Sequence, residues 1–403
     1  MIPGGAGSPR SLAGATILQL APALHDDPAG NAAVDTALTL LQSGARAIVA
    51  GDEGVLVGKL CAFGGEWLPM THHSINPLRI FQNARRLARL IADERIDIVH
   101  AQSAAGAWSA RTAINRMPVF LVTSFPDRVP ARSWAADWFR GSLARGDRVI
   151  APSGYVSRAV IERYKLPAER ITVIPRAIDT TAFGPDAVTA DRANSLRRTW
   201  GVLPETRVVL VPGRLAPWNG QLDMIDAARL LAAGSDGNIV FVFAGDDRSE
   251  PRYVRALRRQ TRMHGIDTLC RFIGQCPDMP AALTAADVVA VPATEPPLSG
   301  RVVAEAQASG RPVVTTTVGA LPEYVLAPPR MRDELRTGWL VAPGDVADIA
   351  RAISKAFMLD ATSYEALGAR ASICRICIFG GKRCRGHSWR LYVFIGARQV
   401  KHA

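Results

Sequence analysis

Short apolar runs alternate with amphipathic stretches along most of the chain. Val208-Val209-Leu210-Val211 is too short for a helix and rich in β-branched residues, which predicts a buried strand. Pro212-Gly213 breaks it, and Leu222, Ile225, Ala228 and Leu231 then recur on one face of a predicted helix. The plan repeats as a strand over 287–291, a Pro- and Gly-containing loop, a helix over 302–309 and a strand over 312–316. In the first half, strands are expected at 15–20, 45–50, 96–100, 119–123, 148–151 and 171–174. A loop over 21–31 and a helix over 32–43 separate the first two. Strands alternating with helices predict mostly parallel sheets covered on both faces. The expected architecture is α/β: two Rossmann-like, doubly wound domains facing each other across a cleft. Residues 1–14 read as a loose lead-in, 15–184 as the first domain, 185–206 as a polar linker, 207–370 as the second domain and 371–403 as an atypical tail.

This pattern already locates a candidate site. Gly213-Arg214 falls on a strand-to-helix loop at the carboxyl end of a strand, where open α/β sheets bind ligands. The strand over 287–291 feeds a second such loop, so Arg214 and Glu305 are expected at one edge of the same sheet. Other candidates carry less. Gly245-Asp246-Asp247, at the end of a strand over 239–244, reads better as a helix cap than as a metal-binding acidic pair. His72-His73 lacks a third ligand at useful spacing and reads as a solvated loop pair. The spacing around Gly213 is not the G-x-G-x-x-G of a dinucleotide fingerprint.

Length and composition narrow the class. The chain has 403 residues, room for two ordinary domains, and 48% of them are hydrophobic, enough for two cores. No run approaches the roughly 18 apolar residues of a membrane span. MIPGGAGSPRSLAG lacks the basic-then-apolar order of a signal peptide. A cytoplasmic location is expected, with peripheral contact to the inner face of a bacterial membrane as its extension. That extension rests on a helix starting at Pro77, whose apolar face is Ile80, Phe81, Ala84, Leu87, Ala88 and Ile91. Its other face carries Arg79, Arg85, Arg86 and Arg89, which fits either a solvated face or contact with an anionic lipid surface.

The formal net charge of +12 would point to nucleic acid if it were spread over the chain. It is not: residues 371–403 hold seven Lys/Arg and no Asp or Glu. The tail also gathers Cys374, Cys377, Cys384 and His387 in a C-x2-C-x6-C-x2-H order that superficially resembles a zinc knuckle, with Trp389, Tyr392 and Phe394 among its arginines. No metal and no nucleic-acid partner are expected. Back-translated with permitted codons and read one base later, the tail can give Ala-Tyr-Ala-Glu-Tyr-Val, so it reads as a frame-shifted ending.

Five pieces in order carry a family resemblance: GRLAPWNGQ, FVFAGDD, CPDMPAAL, ADVVAVPATEP and GRVVAEAQASGRPVV. The segment they span resembles the donor-sugar half of a family 4 retaining glycosyltransferase with the two-domain GT-B fold, of bacterial cell-envelope type. The likeness extends more weakly over the first half and ends near Arg370. It implies a metal-independent transfer of a hexosyl group, with retention, from a nucleotide sugar to a cell-envelope glycan or lipid-linked acceptor, as in lipopolysaccharide biosynthesis. It also implies roles. Arg214 and the residue at 219 would face the diphosphate, Glu305 would hold the ribose, and position 297 would contact the sugar. Gly213, Asp246, Gly274, Asp278, Met279, Ser299 and Gly300 would line the donor pocket. The acceptor side would fall at Asp27, Pro28, Pro126 and Asp127.

Against that pattern several positions differ. Position 219 is Asn where the family has Lys, and position 297 is Pro where it has Glu. Asp27-Pro28 stands where a Gly-Gly pair is expected, and Pro126 where a His is expected. Two readings follow: a working transferase with altered donor or acceptor handling, or an inactive relative that binds a nucleotide or a partner.

Overall fold

The computed structural model describes residues 12–25, 28–71, 76–115, 117–125, 134–175, 178–234, 238–297 and 300–379. The chain divides into two compact units between Arg176 and Ala177. In the first unit the strands are β1 Thr16–Ala23, β2 Arg46–Asp52, β3 Glu66–Pro69, β4 Ile98–Ala101, β5 Phe120–Ser124, β6 Arg148–Ala151 and β7 Ile171–Val173. They form one sheet in the order β3-β2-β1-β4-β5-β6-β7, with each pairing parallel. In the second unit the strands are β8 Arg207–Pro212, β9 Ile239–Ala244, β10 Cys270–Gly274, β11 Val288–Val291, β12 Val313–Thr316 and β13 Gly338–Val341. Their order is β10-β9-β8-β11-β12-β13, again parallel throughout.

Both sheets are doubly wound, as the alternation predicts. Each central strand is buried along its length because helices cover both faces, which is why β8 and β9 read as unbroken apolar runs. Phe241 and Phe243 of β9 are fully buried in a core shared with Ile225, Ala228 and Leu257. In the first unit Ile17, Val34, Leu40, Val49 and Leu60 play that part. In each sheet one strand lies where the order reverses: β1 between β2 and β4, and β8 between β9 and β11. Loops leaving its carboxyl end diverge there and open a crevice.

Three boundaries differ from expectation. The first helix is Pro28–Gln42 and not 32–43. Pro28 stands at its first turn, where a missing N–H leaves no hydrogen bond unmade. Residues 185–206 are not a bare linker. They hold the helix Ala190–Thr199, whose Arg197 donates to the carbonyls of Thr206 and, at 2.8 Å, Ala285, which fixes it to the second unit. The last described helix, Ala361–Phe379, continues past 370. Ala371 and Ser372 are buried, and the Ser372 hydroxyl donates to the Ala308 carbonyl at 3.0 Å. The rest of the tail, from 380, lies outside the described residues, as do His72 and His73.

β3 and the short helix Val57–Ala62 are elements that the hydrophobic pattern does not announce. β3 has no apolar alternation of its own. It is held on the sheet edge by backbone pairing to β2 and by Glu66, which accepts from Arg46 Nε and Nη2 at 2.6 and 2.7 Å.

Candidate active site

In the second unit, three loops converge at the carboxyl edge. Gly213 follows β8, Gly245 follows β9 and Gly274 ends β10. The Gly213 N–H donates to the Ala244 carbonyl at 2.9 Å, and the Gly245 N–H donates to the Gly274 carbonyl at 2.8 Å. A Cβ on Gly245 would lie 1.9 Å from the Gly213 carbonyl oxygen, so this approach requires glycine. Gly213 itself has φ +126°, a conformation that side-chain-bearing residues rarely adopt. The expected donor-side residues Gly213, Asp246 and Gly274 are thus brought together.

Arg214 is exposed at the head of the β8 loop. Its carbonyl accepts from Asn219 Nδ2 at 2.8 Å and Gln221 Nε2 at 2.9 Å, which ties the loop shut. Asn219 is thus placed as a clamp on the Arg214 backbone, beside the expected diphosphate position. The loop also reaches across the switch point. The carbonyl of Trp218 accepts from the N–H groups of Thr294 and Glu295 at 3.0 and 3.2 Å, joining the loops that follow β8 and β11. Asp246 accepts from the Ser249 hydroxyl and, at 3.0 Å, from the Arg248 N–H. Those bonds, helped by the nearby Arg214 charge, hold its carboxyl below the usual range. Asp246 is not the helix cap expected of it: the next helix, Pro251–Met263, has Glu250 at its N-cap position and no side-chain cap, and Asp246 instead closes a tight turn onto Arg248 and Ser249.

Glu305 lies in the helix Arg301–Ala308 that follows the β11 loop, and it is 6% exposed. Burial raises its pKa, opposed by Arg301, whose Nε donates to Glu305 Oε1 at 2.6 Å. A buried carboxylate held by one arginine keeps its remaining lone pairs for other donors.

The remaining donor-side expectations fare differently. Asp278 is engaged in structure: it accepts from Arg192 Nε and Nη2 at 2.8 and 2.7 Å and caps the helix Met279–Ala285 through the Ala281 N–H at 3.1 Å. The Arg192 guanidinium, chiefly, lowers its pKa. Met279 is the first residue of that helix. Gly300 permits close packing, since a Cβ there would meet the Tyr324 ring at 2.4 Å. The Pro297 carbonyl accepts from the Ala320 N–H at 3.0 Å. Ser299 lies outside the described residues.

On the first unit, Asp27, Pro126 and Asp127 also lie outside the described residues, and of Pro28 only its place at the head of a helix is described. Gly30 is the glycine that the β1 loop requires there: a Cβ on it would lie 2.1 Å from the His25 carbonyl oxygen. The carboxyl edge of this sheet holds polar groups that the sequence reading passed over. Gln19 of β1 pairs in register with His100 of β4, and both are buried. His100 Nε2 is 2.7 Å from Ser124 Oγ at the end of β5, and Gln102 Nε2 donates to Gln19 Oε1 at 2.9 Å. Burial lowers the His100 pKa to about 4, so its ring is neutral at pH 7. Gln19 Nε2 has no hydrogen-bond acceptor among the described residues. The available signal was a His inside an otherwise apolar strand, IVHA, followed at once by Gln102.

Among the described residues no group of His, Cys, Asp and Glu is placed to hold a metal ion, and no helix is long and apolar enough to cross a membrane. The basic helix is Pro77–Asp93, with Ala84, Leu87 and Ile91 buried.

Residues 206–358, which contain this second-unit site, match the family model "Glycosyl transferases group 1", and residues 61–182 match "Glycosyltransferase Family 4". Both matched models describe glycosyltransferases, and each covers less than half of the chain. Similar proteins include the D-inositol 3-phosphate glycosyltransferases of Nocardia farcinica, 32% identical over 235 residues (57% of this chain, 49% of the relative), and of Salinispora arenicola, 32% identical over 248 residues (60% and 53%). The chain spans about half the length of these curated relatives. Among solved structures, a glycosyltransferase from Rickettsia africae ESF-5 superposes with a TM-score of 0.83 at 24% identity, over 97% of this chain and 100% of that one. Anabaena Alr3699/HepE in complex with UDP gives 0.75 at 22%, over 92% and 98%. At these identities the likeness shows the fold, which is the GT-B fold of the sequence expectation.

Proposed function

We propose that this chain is a metal-independent glycosyltransferase that moves a hexosyl group, with retention, from a nucleotide sugar to a cell-envelope glycan or lipid-linked acceptor. The observation that carries the reading is the glycine-built junction of Gly213, Gly245 and Gly274 with exposed Arg214 at its lip. Gly245 has no room for a side chain, and Gly213 and Gly274 hold positive φ angles of +126° and +67°, so the junction is built of backbone alone. As the glycosidic bond breaks, negative charge grows on the leaving diphosphate, and Arg214 stabilises it. A positioned charge of this kind is typically worth about 10²–10³ in rate. Glu305, desolvated and oriented by Arg301, accepts from the ribose hydroxyls. Asn219 positions Arg214 through its carbonyl and so replaces a second cation with a more rigid first one. On the first unit, the edge formed by Gln19, His100, Gln102 and Ser124 offers neutral hydrogen-bonding groups to an acceptor sugar. The similar proteins include D-inositol 3-phosphate glycosyltransferases, which makes an inositol phosphate a second acceptor to assay.

A second reading, nucleotide binding without turnover, draws on two observations. Asn219 faces the Arg214 backbone, and Pro297 supplies no carboxylate where the family has one. Calorimetric titration of UDP, GDP and ADP, each with and without its sugar, tests the donor assignment. One nucleotide is expected to bind at micromolar affinity, with the affinity lost in Glu305→Ala. Hydrolysis of the matching nucleotide sugar then separates the two readings, since the pseudoenzyme would bind and not turn over. Absence of binding by all three nucleotides would sink both.

A further inference from the structure

A second pocket of about 800 Å³ lies in the first unit, away from the carboxyl edge. It is lined at the amino-terminal side of the sheet, where Arg145 precedes β6, Arg170 precedes β7, and the helix Gly154–Tyr164 ends. Four- and five-residue strands, at about 3.3 Å per residue, separate this edge from the one that carries His100 and Ser124 by more than 10 Å. The proposed transfer chemistry makes no use of it.

Its wall is strongly one-signed. Arg111, Arg145, Arg163, Lys165 and Arg170 line it, with Asp137 as the one acid among the lining residues. Several of these cations are held in place. Arg111 Nη1 donates to the Arg145 carbonyl at 3.3 Å, the Arg145 guanidinium stacks 5.6 Å over the Trp108 ring, and Arg170 donates to the Gly146 carbonyl. Lys165 ends its helix at φ +52°, is exposed, and has no ion-pair partner among the described residues. A ring of cations with their donors fixed in this way is a site for an anion with several oxygens.

Two further features say more about the ligand. Asp137 pairs with Arg163 through Oδ2, while its Oδ1 is buried with no donor among the described residues. The Asp137 side chain keeps 15% of its surface exposed, so it is part of the pocket wall without being open on every side. Trp138, 59% exposed, stands on Trp108 with ring centroids 4.9 Å apart and offers a flat apolar face at the rim. Phosphate for the cationic wall, a ring face for Trp138 and the polar Asp137 beside them together describe one chemical class.

We propose that this pocket is a second binding site, for a phosphorylated sugar, separate from the donor site. The sugar phosphate is either free or a unit of a longer phosphorylated glycan. Calorimetry on the full chain with glucose 6-phosphate, inorganic phosphate, glucose and a phosphorylated oligosaccharide tests it. Glucose 6-phosphate is expected to bind at least tenfold more tightly than phosphate or glucose. Saturating UDP should leave that affinity unchanged. Lys165→Glu should weaken the sugar phosphate at least tenfold, and Trp138→Ala should reduce the preference for sugar phosphate over phosphate, with circular dichroism showing both variants folded. Tighter binding of the oligosaccharide than of glucose 6-phosphate assigns the site to a glycan, and equal binding assigns it to the free sugar phosphate. The proposal is overturned if no phosphorylated probe binds at millimolar concentration, if UDP competes, if Lys165→Glu binds as the parent does, or if only phosphatidylglycerol vesicles are retained.

Discussion

The polar side chains at the two carboxyl edges have tasks that follow from their surroundings. Asp278, Asn219 and Asp246 all sit on glycosyltransferase-like motifs, yet each is bound to protein groups close by: the first to Arg192, the second to the Arg214 carbonyl, the third to Ser249 and Arg248. Arg214 remains exposed, and Glu305 is held by an arginine that leaves acceptor capacity open. His100 has a measurable consequence. Its folded pKa is about 4, below the roughly 6.5 of an unfolded histidine. The unfolded chain therefore takes up a proton that the folded chain refuses, and stability falls as pH drops from about 6.5 through about 4. Between pH 7 and pH 5 this single group should account for about 2 kcal/mol of lost stability. Urea midpoints of the parent and His100→Gln at the two pH values check this, and the variant should show the shallower decline. Equal declines would mean that His100 is solvated in the folded protein.

A repeated element-level device fixes how strands enter the two sheets. An aspartate one or a few residues before a strand accepts from the backbone N–H near the start of a neighbouring strand: Asp97 from Thr16 at 2.8 Å, Asp147 from Leu121 at 2.8 Å and Asp287 from Val208 at 2.7 Å. In the sequence these are the Asp residues of IDIVH, GDRVI and ADVVA. Their spacing is legible in advance, but their partners lie 26 to 81 residues away, which no local pattern encodes. Because β8 carries the Arg214 loop, Asp287 matters for the site as well as for the sheet. Asp287→Ala leaves the Val208 N–H without its acceptor and is expected to destabilise by about 1–3 kcal/mol, whereas Asp287→Asn keeps an acceptor oxygen and should lose less. Urea unfolding of the two variants checks the order. The same scale explains the elements that the hydrophobic pattern missed. β3 is an edge strand without alternation, held by pairing and the Arg46–Glu66 ion pair. The helix Pro28–Gln42 begins four residues before its apolar period because Pro28 is a natural first residue.

For the whole molecule, the two sheets and the donor-side loops are complete by Phe379. The final helix belongs to the second unit: Leu367 and Ala371 are buried, Tyr364 Oη donates to the Asp287 carbonyl at 2.8 Å, and Ser372 reaches Ala308. A chain ending after Phe379 loses six Lys/Arg and no acid. It should keep its nucleotide affinity within about twofold, because the proposed donor residues lie between 213 and 305. A chain ending after Asp360 should lose its cooperative unfolding transition, since the helix Arg301–Ala308 would be stripped of its cover. Calorimetry and thermal melts of the two truncations test this. By itself, the sequence determined the doubly wound α/β class, the strands other than β3, β10 and β13, and the sheet edge whose loops lead to Arg214 and Glu305. It could do so because burial along a strand or helix is a periodic property of adjacent residues. The tertiary structure decided which polar side chains remain available: Asn219 turned onto a carbonyl, Asp278 paired across 86 residues, and His100 brought to Ser124. Hydrogen-bond partners are set by the order of strands and the meeting of their loops, and neither leaves a period along the chain.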